Sequence, residues 1–401
     1  MGFARSYKVA MVAACPFPCS RGTPVRIQRM AEGLVDRGHD VHVVTYHLSE
    51  PIPLAAAVQV HRIRNIPTYR YYNPGPTAQK LLFVDWFLQV ALRNVLRTND
   101  IDVIHAHHVE GLLVSLMARR IRPEIPIVFD AHTLLESELP FYAHPLLRPL
   151  LRKMGTLIDR YTSGKADHLI TVTEELREQL LSLGVVGSAH STTIGNGVEL
   201  DLFIGHHWSM RSDTKRCTLV FTGNMAPYQG IETLLRAFAS IQRSDILVTL
   251  RIVTQASFDD HETLCRELGI RDRIELIKAG FDKIPELLAS SDIALNPRVE
   301  APGLPQKTMN YMAAGMPIVS FAGSGQHLID KHSALLVDGS RVEDFASAIN
   351  ILIDDTQLAK HLSVNAFAAV QQRDWSWAAH QVESVYDHLS PAGLFALSGT
   401  Q

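Results

Sequence analysis

The chain has 401 residues, 46% of them hydrophobic and 20% charged, with a formal net charge of −3 at pH 7. That length exceeds one ordinary core and the composition is that of a folded protein, so two domains are expected and disorder is excluded. The near-neutral balance supplies no global positive field, so no nucleic-acid partner is expected and any anion site must be local. Four cysteines, Cys15, Cys19, Cys217 and Cys265, are too few for a disulfide framework in a chain of this size and read as free thiols. The apolar run Val9 to Cys15 is too short for a membrane span and lacks a clean cleavage site. No other window approaches the ~20 apolar residues that a spanning helix needs. A cytoplasmic protein, at most peripheral on the inner face of the membrane, is expected.

In chain order, Lys8 to Cys15 reads as a first strand. Val25 to Arg37 reads as a helix, with Ile27, Met30, Ala31, Leu34 and Val35 at helical spacing and Gly38 as its C-cap. Strands follow at Val41 to Tyr46 and Val58 to Ile63, and a long helix over Ala78 to Arg97. Asp102 to His107 is a strand, a helix runs from Glu110, and Pro126 to Asp130 is a strand. Pro149 to Thr162 is a helix, His168 to Thr173 a strand and Glu174 to Leu183 a helix. Periodicity lapses from Gly187 to Asp213, which reads as the linker, and the pattern then restarts. Strands at Thr218 to Thr222, Leu247 to Thr254, Arg273 to Lys278, Asp292 to Asn296, Pro317 to Phe321 and Ala334 to Val337 alternate with helices, and the tail is helical from Val342. Alternation of this kind predicts α/β architecture: two Rossmann-like, doubly wound domains with parallel sheets. In such sheets ligands bind outside the carboxyl ends of the strands, so chemistry belongs in the loops just after them.

Several of those loops carry candidates. Ser20-Arg21-Gly22-Thr23 precedes a helix, where a glycine brings backbone N–H groups close to an anion or merely turns the chain. Neither a Gly-x-Gly-x-x-Gly nor a Walker lysine is present, which argues against a nicotinamide dehydrogenase or a P-loop ATPase. His105 and His107 share one strand face, but no third ligand is evident and no metal is expected. His132 follows another strand, with Glu136 beyond it; such a histidine donates to a substrate oxygen or caps the next segment. Thr222-Gly223-Asn224 and Tyr228-Gln229-Gly230 flank a helix start suited to a diphosphate. The richest stretch is Asn296 to Ser320: Arg298 and Glu300 leave a strand, Gly303-Leu304-Pro305 turns, and a helix begins near Lys307. A carboxylate beside free amides suits sugar hydroxyls and anionic oxygens.

Taken in order, these pieces resemble retaining glycosyltransferase family four, which has the two-domain GT-B fold. The resemblance rests on Arg37-Gly38-His39-Asp40-Val41, His105-Ala106-His107, Ala166 to Thr173, Gly195-Asn196-Gly197-Val198, Gly223 to Gly230, Glu300 to Gly315 and Trp375-Ser376-Trp377. It implies two domains facing a central cleft. Residues 1–205 would be the acceptor domain, with a final helix at 374–390 packing back on it, and residues 206–373 the nucleotide-sugar donor domain. It implies a retaining, hexosyl-type transfer from a nucleotide-diphosphate sugar to a hydroxyl acceptor, in cell-envelope polysaccharide or glycolipid biosynthesis, with no cofactor and no metal. Glu300 would hold sugar hydroxyls, Gly303 and Leu304 would offer amides to the donor, Gly22 would lie near the diphosphate and His132 beside the reacting sugar. His107, Tyr71 and Glu136 are the acceptor candidates.

The chain departs from the family at three positions. Asn224 stands where an arginine is usual, Gln229 where a lysine precedes Gly230, and Asn310 where a second glutamate contacts ribose. Tyr-Gln-Gly with Pro-x-Lys marks a subgroup in which Lys307 and Arg298 are expected to supply the missing charge. A non-catalytic GT-B binding or partner subunit, or a GT-B nucleotide-sugar isomerase, are the alternatives these departures raise. One further pattern concerns the acceptor side. Leu147, Leu150, Leu151, Met154, Leu157 and Ile158 form a helical stripe accompanied by Arg148, Arg152, Lys153 and Arg160, and Tyr69-Arg70-Tyr71-Tyr72 is aromatic and basic. Such a stripe either packs into a core or seats the domain on a membrane bearing a lipid-linked acceptor.

Overall fold

The structure is a computed structural model that describes residues 5–19, 22–70, 80–142, 145–184, 187–300, 305–325 and 327–390. The chain divides into two compact units, Met1–Asn196 with Trp375–Gln401, and Gly197–Asp374.

The first unit is built on seven strands: β1 (Lys8–Ala13), β2 (Asp40–Thr45), β3 (Gln59–Arg62), β4 (Val103–His107), β5 (Ile127–Ala131), β6 (His168–Thr171) and β7 (Ser191–Thr193). Its helices are α1 (Gly22–Asp36), α2 (Asp85–Thr98), α3 (His108–Ala118), α4 (Leu135–Glu138), α5 (Arg148–Ser163) and α6 (Glu174–Ser182). The order is β3-β2-β1-β4-β5-β6-β7, and each neighbouring pair is parallel. Val9 through Ala13 are fully buried, as expected of a strand covered on both faces. Strand order reverses between β1 and β4, where Ala13 lies opposite His107, so a crevice opens beyond their carboxyl ends.

The second unit has β8 (Arg216–Thr222), β9 (Leu247–Val253), β10 (Ile274–Ile277), β11 (Ile293–Asn296), β12 (Ile318–Phe321) and β13 (Leu335–Val337). They run parallel in the order β10-β9-β8-β11-β12-β13, with α7 (Ile231–Ser240), α8 (Asp259–Glu267), α9 (Ile284–Ala289), α10 (Gln306–Ala313), α11 (Val342–Asp354) and α12 (Thr356–Val370) around them. Its switch point lies between β8 and β11, the strands that carry Thr222 and Asn296. A last helix, α13 (Trp375–Leu389), belongs to the first unit and packs on α1, burying Trp375, Ala379, Val382 and Tyr386 with Ile27, Met30 and Leu34. No helix among the described residues is long and apolar enough to cross a membrane.

Two departures from the sequence reading have clear causes. The stretch read as a linker contains β7, whose Ser-Thr-Thr shows no apolar alternation yet pairs with β6. The division falls at Asn196 and Gly197 rather than at 205, because Val198 and Phe203 enter the second unit's core.

Helix α5 sits on α4 through Gly155, where an added Cβ would lie 2.5 Å from the backbone of Glu136. Asp159 fixes the same contact by accepting from the backbone N–H groups of Leu135 and Glu136 at 3.1 and 2.9 Å. Helix propensity alone would make Gly155→Ala stabilising by about 1 kcal/mol. The contact reverses that sign: the substitution is expected to cost about 1–3 kcal/mol by overpacking, read as a lowered urea midpoint.

Candidate functional site

In the first unit the carboxyl ends of β4 and β5 and the start of α1 bring one charged pair and four histidines together. Arg26, on α1, is buried, and its Nε donates to Asp130 Oδ2 at 3.0 Å while Nη2 donates to Oδ1 at 3.3 Å. The rest of the guanidinium donates to the Ile194 carbonyl at 2.8 Å and to Asn196 Oδ1 at 3.1 Å, so the loop after β7 is tied to α1. This fork geometry is what a planar guanidinium supplies and an ammonium does not.

The histidines surround that pair. His105 and His107 stack with ring centroids 4.6 Å apart, and a nitrogen of each lies 3.6 Å from Asp130 Oδ2. His105 Nδ1 is 2.6 Å from the Tyr386 hydroxyl, which brings α13 into the network. His132 Nε2 is 3.3 Å from His107 Nδ1, and its Nδ1 is 3.4 Å from Thr23 Oγ1. Thr23 Oγ1 in turn lies 2.8 Å from His108 Nε2. His108 opens α3 with φ of 61°, an uncommon backbone state for a residue with a side chain and one that marks stored strain. Burial pushes His132 and His107 well below their ordinary range, against the pull of Asp130, so both rings are neutral at pH 7. Burial works to raise Asp130, but Arg26 and the histidine rings outweigh it and hold the carboxyl well below the usual carboxylate range.

In the second unit, Gly230 closes the turn after β8 with φ of 74°, and an added Cβ would lie 2.2 Å from the Pro297 carbonyl oxygen. Only glycine lets this turn touch the loop after β11. Tyr311 of α10 locks the same corner, its hydroxyl accepting from the Thr222 backbone N–H at 2.9 Å. Lys307 is buried above the Phe221 ring, 4.3 Å from its centroid, and donates to Gln229 Oε1 at 2.7 Å. Arg298 stacks on Tyr228 at 4.9 Å and donates to the Glu300 carbonyl at 2.8 Å. Among the described residues neither cation has a carboxylate within ion-pair distance. Burial, with the Arg298 charge added, pushes Lys307 down to about 7.

The sequence-derived candidates therefore fall into two groups. Gln229, Gly230, Arg298, Lys307 and Asn310 come together around the ends of β8 and β11. Asn224 is exposed and spent on its own turn, accepting from the Ala226 N–H and donating to Tyr228, while the Glu300 side chain is exposed. Asn310 is buried with Oδ1 unpartnered. Gly22 begins α1 in open space beside Thr23, and Glu136 is partly exposed at the start of α4. One expectation is corrected: His107 is fully buried against His132 and Asp130, so it supports His132 rather than facing an acceptor. Tyr71, Gly303 and Leu304 lie outside the described residues. Arg26, Asp130 and Tyr386 were not assigned to a site from sequence, and Thr23 entered only as part of the loop around Gly22; the visible signal was an Asp two residues before His132 at a strand end. Asp130 also completes the triplet that His105 and His107 lacked, with ligand atoms within 4.8 Å of one another, but Arg26 already occupies its carboxylate.

Residues 20–202 match the family model described as Glycosyltransferase Family 4, and residues 216–355 the one described as Glycosyl transferases group 1. The D-inositol 3-phosphate glycosyltransferase of Mycolicibacterium smegmatis is 26% identical over 388 residues, covering 92% of this chain and 86% of that one. Among solved structures, sucrose-phosphate synthase from Thermosynechococcus elongatus is similar with a TM-score of 0.77 at 19% identity, covering 98% of this chain and all of that one. Anabaena HepE in complex with UDP is similar with a TM-score of 0.70 at 18% identity, covering 94% and 98%. The two parallel-sheet domains are thus those of the GT-B fold.

Removing one member of the Arg26–Asp130 pair leaves a buried charge unanswered. Arg26→Ala is expected to lower stability by about 3–5 kcal/mol in urea unfolding, far more than an exposed arginine would. The neutral histidines add a pH dependence. Below about pH 6.5 the unfolded chain binds protons that folded His107 and His132 refuse, so stability falls as pH drops from 7 to 5. Urea midpoints that stay level across that interval would contradict the burial argument.

Proposed function

We propose that the chain is a glycosyltransferase, a reading that the matches of both its halves support, and that it moves a hexose from a nucleotide-diphosphate sugar to a hydroxyl acceptor with retention of configuration. The observation that carries this reading is the pair of cations at the ends of β8 and β11 with no carboxylate to answer them. An unanswered buried ammonium is costly, and a diphosphate removes that cost by supplying the missing anion. Lys307 and Arg298 would then do the work of the cations absent at Asn224 and Gln229, and Gln229 would hold Lys307 in place. Asn310 Oδ1, unpartnered and buried, would accept from a donor hydroxyl. Glu300 would accept from sugar hydroxyls, and backbone amides at Gly303 and Leu304 would hold the donor. Support for a uridine-type donor comes from the similar HepE structure, whose ligand is UDP.

In the first unit, neutral His132 would offer a ring nitrogen to the transferred sugar, and the N-terminus of α1 at Gly22 would favour the phosphate charge. Retention implies that the acceptor hydroxyl attacks on the leaving-group face as the sugar becomes oxocarbenium-like. Rate enhancement would come from positioning and from stabilising the departing diphosphate, with the chain's own cations and no metal ion. The acceptor would be a cell-envelope glycan or glycolipid, with Glu136 and Tyr71 on the acceptor side. Nucleotide sugars are cytoplasmic metabolites, which supports a cytoplasmic location as part of this reading.

A nucleotide-sugar panel read by thermal shift, followed by mass spectrometry of released nucleotide, tests the reading. Stabilisation by a donor together with transfer to an added hydroxyl acceptor supports it. No stabilisation by any donor would favour a non-catalytic binding subunit, and isomerisation without acceptor would favour an epimerase-type enzyme.

Lys307 makes donor binding proton-linked. With a free value of about 7 raised by the bound anion, affinity is greatest below pH 7. It then falls about tenfold per pH unit until the bound-state value is passed. At pH 8, calorimetry in buffers of different ionisation heat should register proton uptake, and Lys307→Arg should bind without it. Lys307→Ala should lose about 1.5–3 kcal/mol of donor affinity. Unchanged affinity in Lys307→Ala, with binding abolished in Gln229→Ala, would reassign the charge.

A further inference from the structure

We propose that the outer face of α5 docks the first unit on an anionic membrane surface. Leu147, Leu150, Met154, Leu157 and Tyr161 recur at spacings of three and four residues, which places them on one side of the helix. That side faces solvent: Leu150 is 58% and Leu157 68% exposed. The opposite side, Gly155, Asp159, Thr162 and Ser163, is the buried one. Core-facing helices invert this pattern, so the apolar stripe faces away from the unit's core among the described residues. Ile158 alone of the long apolar residues in the last two turns reaches the core.

Charge says what the stripe meets. Arg148, Arg152, Lys153 and Arg160 are all exposed, and none has a carboxylate within ion-pair distance among the described residues. The one acid of the helix, Asp159, is turned inward to the backbone of α4. An apolar face bordered by unanswered cations, on a chain whose net charge is −3, fits an interfacial helix at anionic headgroups. A second copy of the chain fits less well, because a two-fold contact through α5 sets Lys153 and Arg160 against their own like charges. The neighbouring helices extend the surface. Trp86 and Val90 of α2 and Met117 of α3 are also exposed, and α3 packs against both α2 and α5. The inference goes beyond the transfer reaction and does not depend on it. A chain that sediments with vesicles but binds no nucleotide sugar would sink the one and keep the other.

Co-sedimentation with phosphatidylcholine vesicles, with and without phosphatidylglycerol, is the test, applied to the full chain and two double variants. The chain should bind the anionic vesicles, less so in high salt. Lys153→Glu with Arg160→Glu should lower partitioning about tenfold or more. Leu150→Glu with Leu157→Glu should bring it to the level of neutral vesicles. Both variants lie on the solvent side of α5, so circular dichroism and the unfolding midpoint should match the parent and show that the loss is not misfolding. Equal sedimentation of parent and folded variants would overturn the proposal. So would the absence of binding to anionic vesicles, or a parent dimer in light scattering that the leucine variant dissociates.

Discussion

The ion pair between Arg26 and Asp130 is the constraint on which the first unit depends. One guanidinium holds the end of β5, the start of α1 and the loop that follows β7, three segments distant in sequence. Its charge also decides the state of everything nearby. With Arg26 in place Asp130 stays ionised although buried, and burial keeps His107 and His132 neutral. His107, carrying no charge, stacks on His105 with ring centroids 4.6 Å apart. His132 inherits its setting from this arrangement, held between His107 and Thr23 without a charge of its own.

The second unit presents the opposite case. Lys307 is buried as Arg26 is, but it has an amide oxygen where Arg26 has a carboxylate. The first cation is answered by a carboxylate of the fold, and the second by a neutral amide oxygen alone among the described residues. The Gly230 turn makes that possible by bringing the β8 loop against Pro297, so that Gln229, Arg298 and Lys307 converge instead of dispersing over three elements.

Much of this architecture was legible in the residues. Strand β1 announces itself as a continuous apolar run from Val9 to Ala13, and glycine placement marks the turns. Lys307 was singled out only through the family resemblance, in which cations are usual at 224 and 229, and its seat on Gln229 needed the structure. The Arg26–Asp130 pair was not, since its members stand 104 residues apart and no local spacing links them. Nor did Ser191–Thr193 betray an edge strand, because three polar residues carry no period. Helix α5 shows the limit of periodicity itself. A stripe at helical spacing says which residues share a face but not whether that face looks inward. Here Gly155 takes the close contact with α4, and the leucines are left outside.

The chain enters and leaves the second unit side by side, with the Val198 N–H donating to the Arg373 carbonyl at 3.0 Å. The second unit is therefore an insertion whose two ends meet, and the first unit is a protein interrupted. During synthesis β1 to β7 are complete long before α13 exists, yet α1 cannot bury Ile27, Met30 and Leu34 fully until α13 arrives. Tyr386 reaches His105 across a sequence separation of 281 residues. The half of the molecule made first is thus the half finished last, and its histidine network closes only once nearly the whole chain has been made.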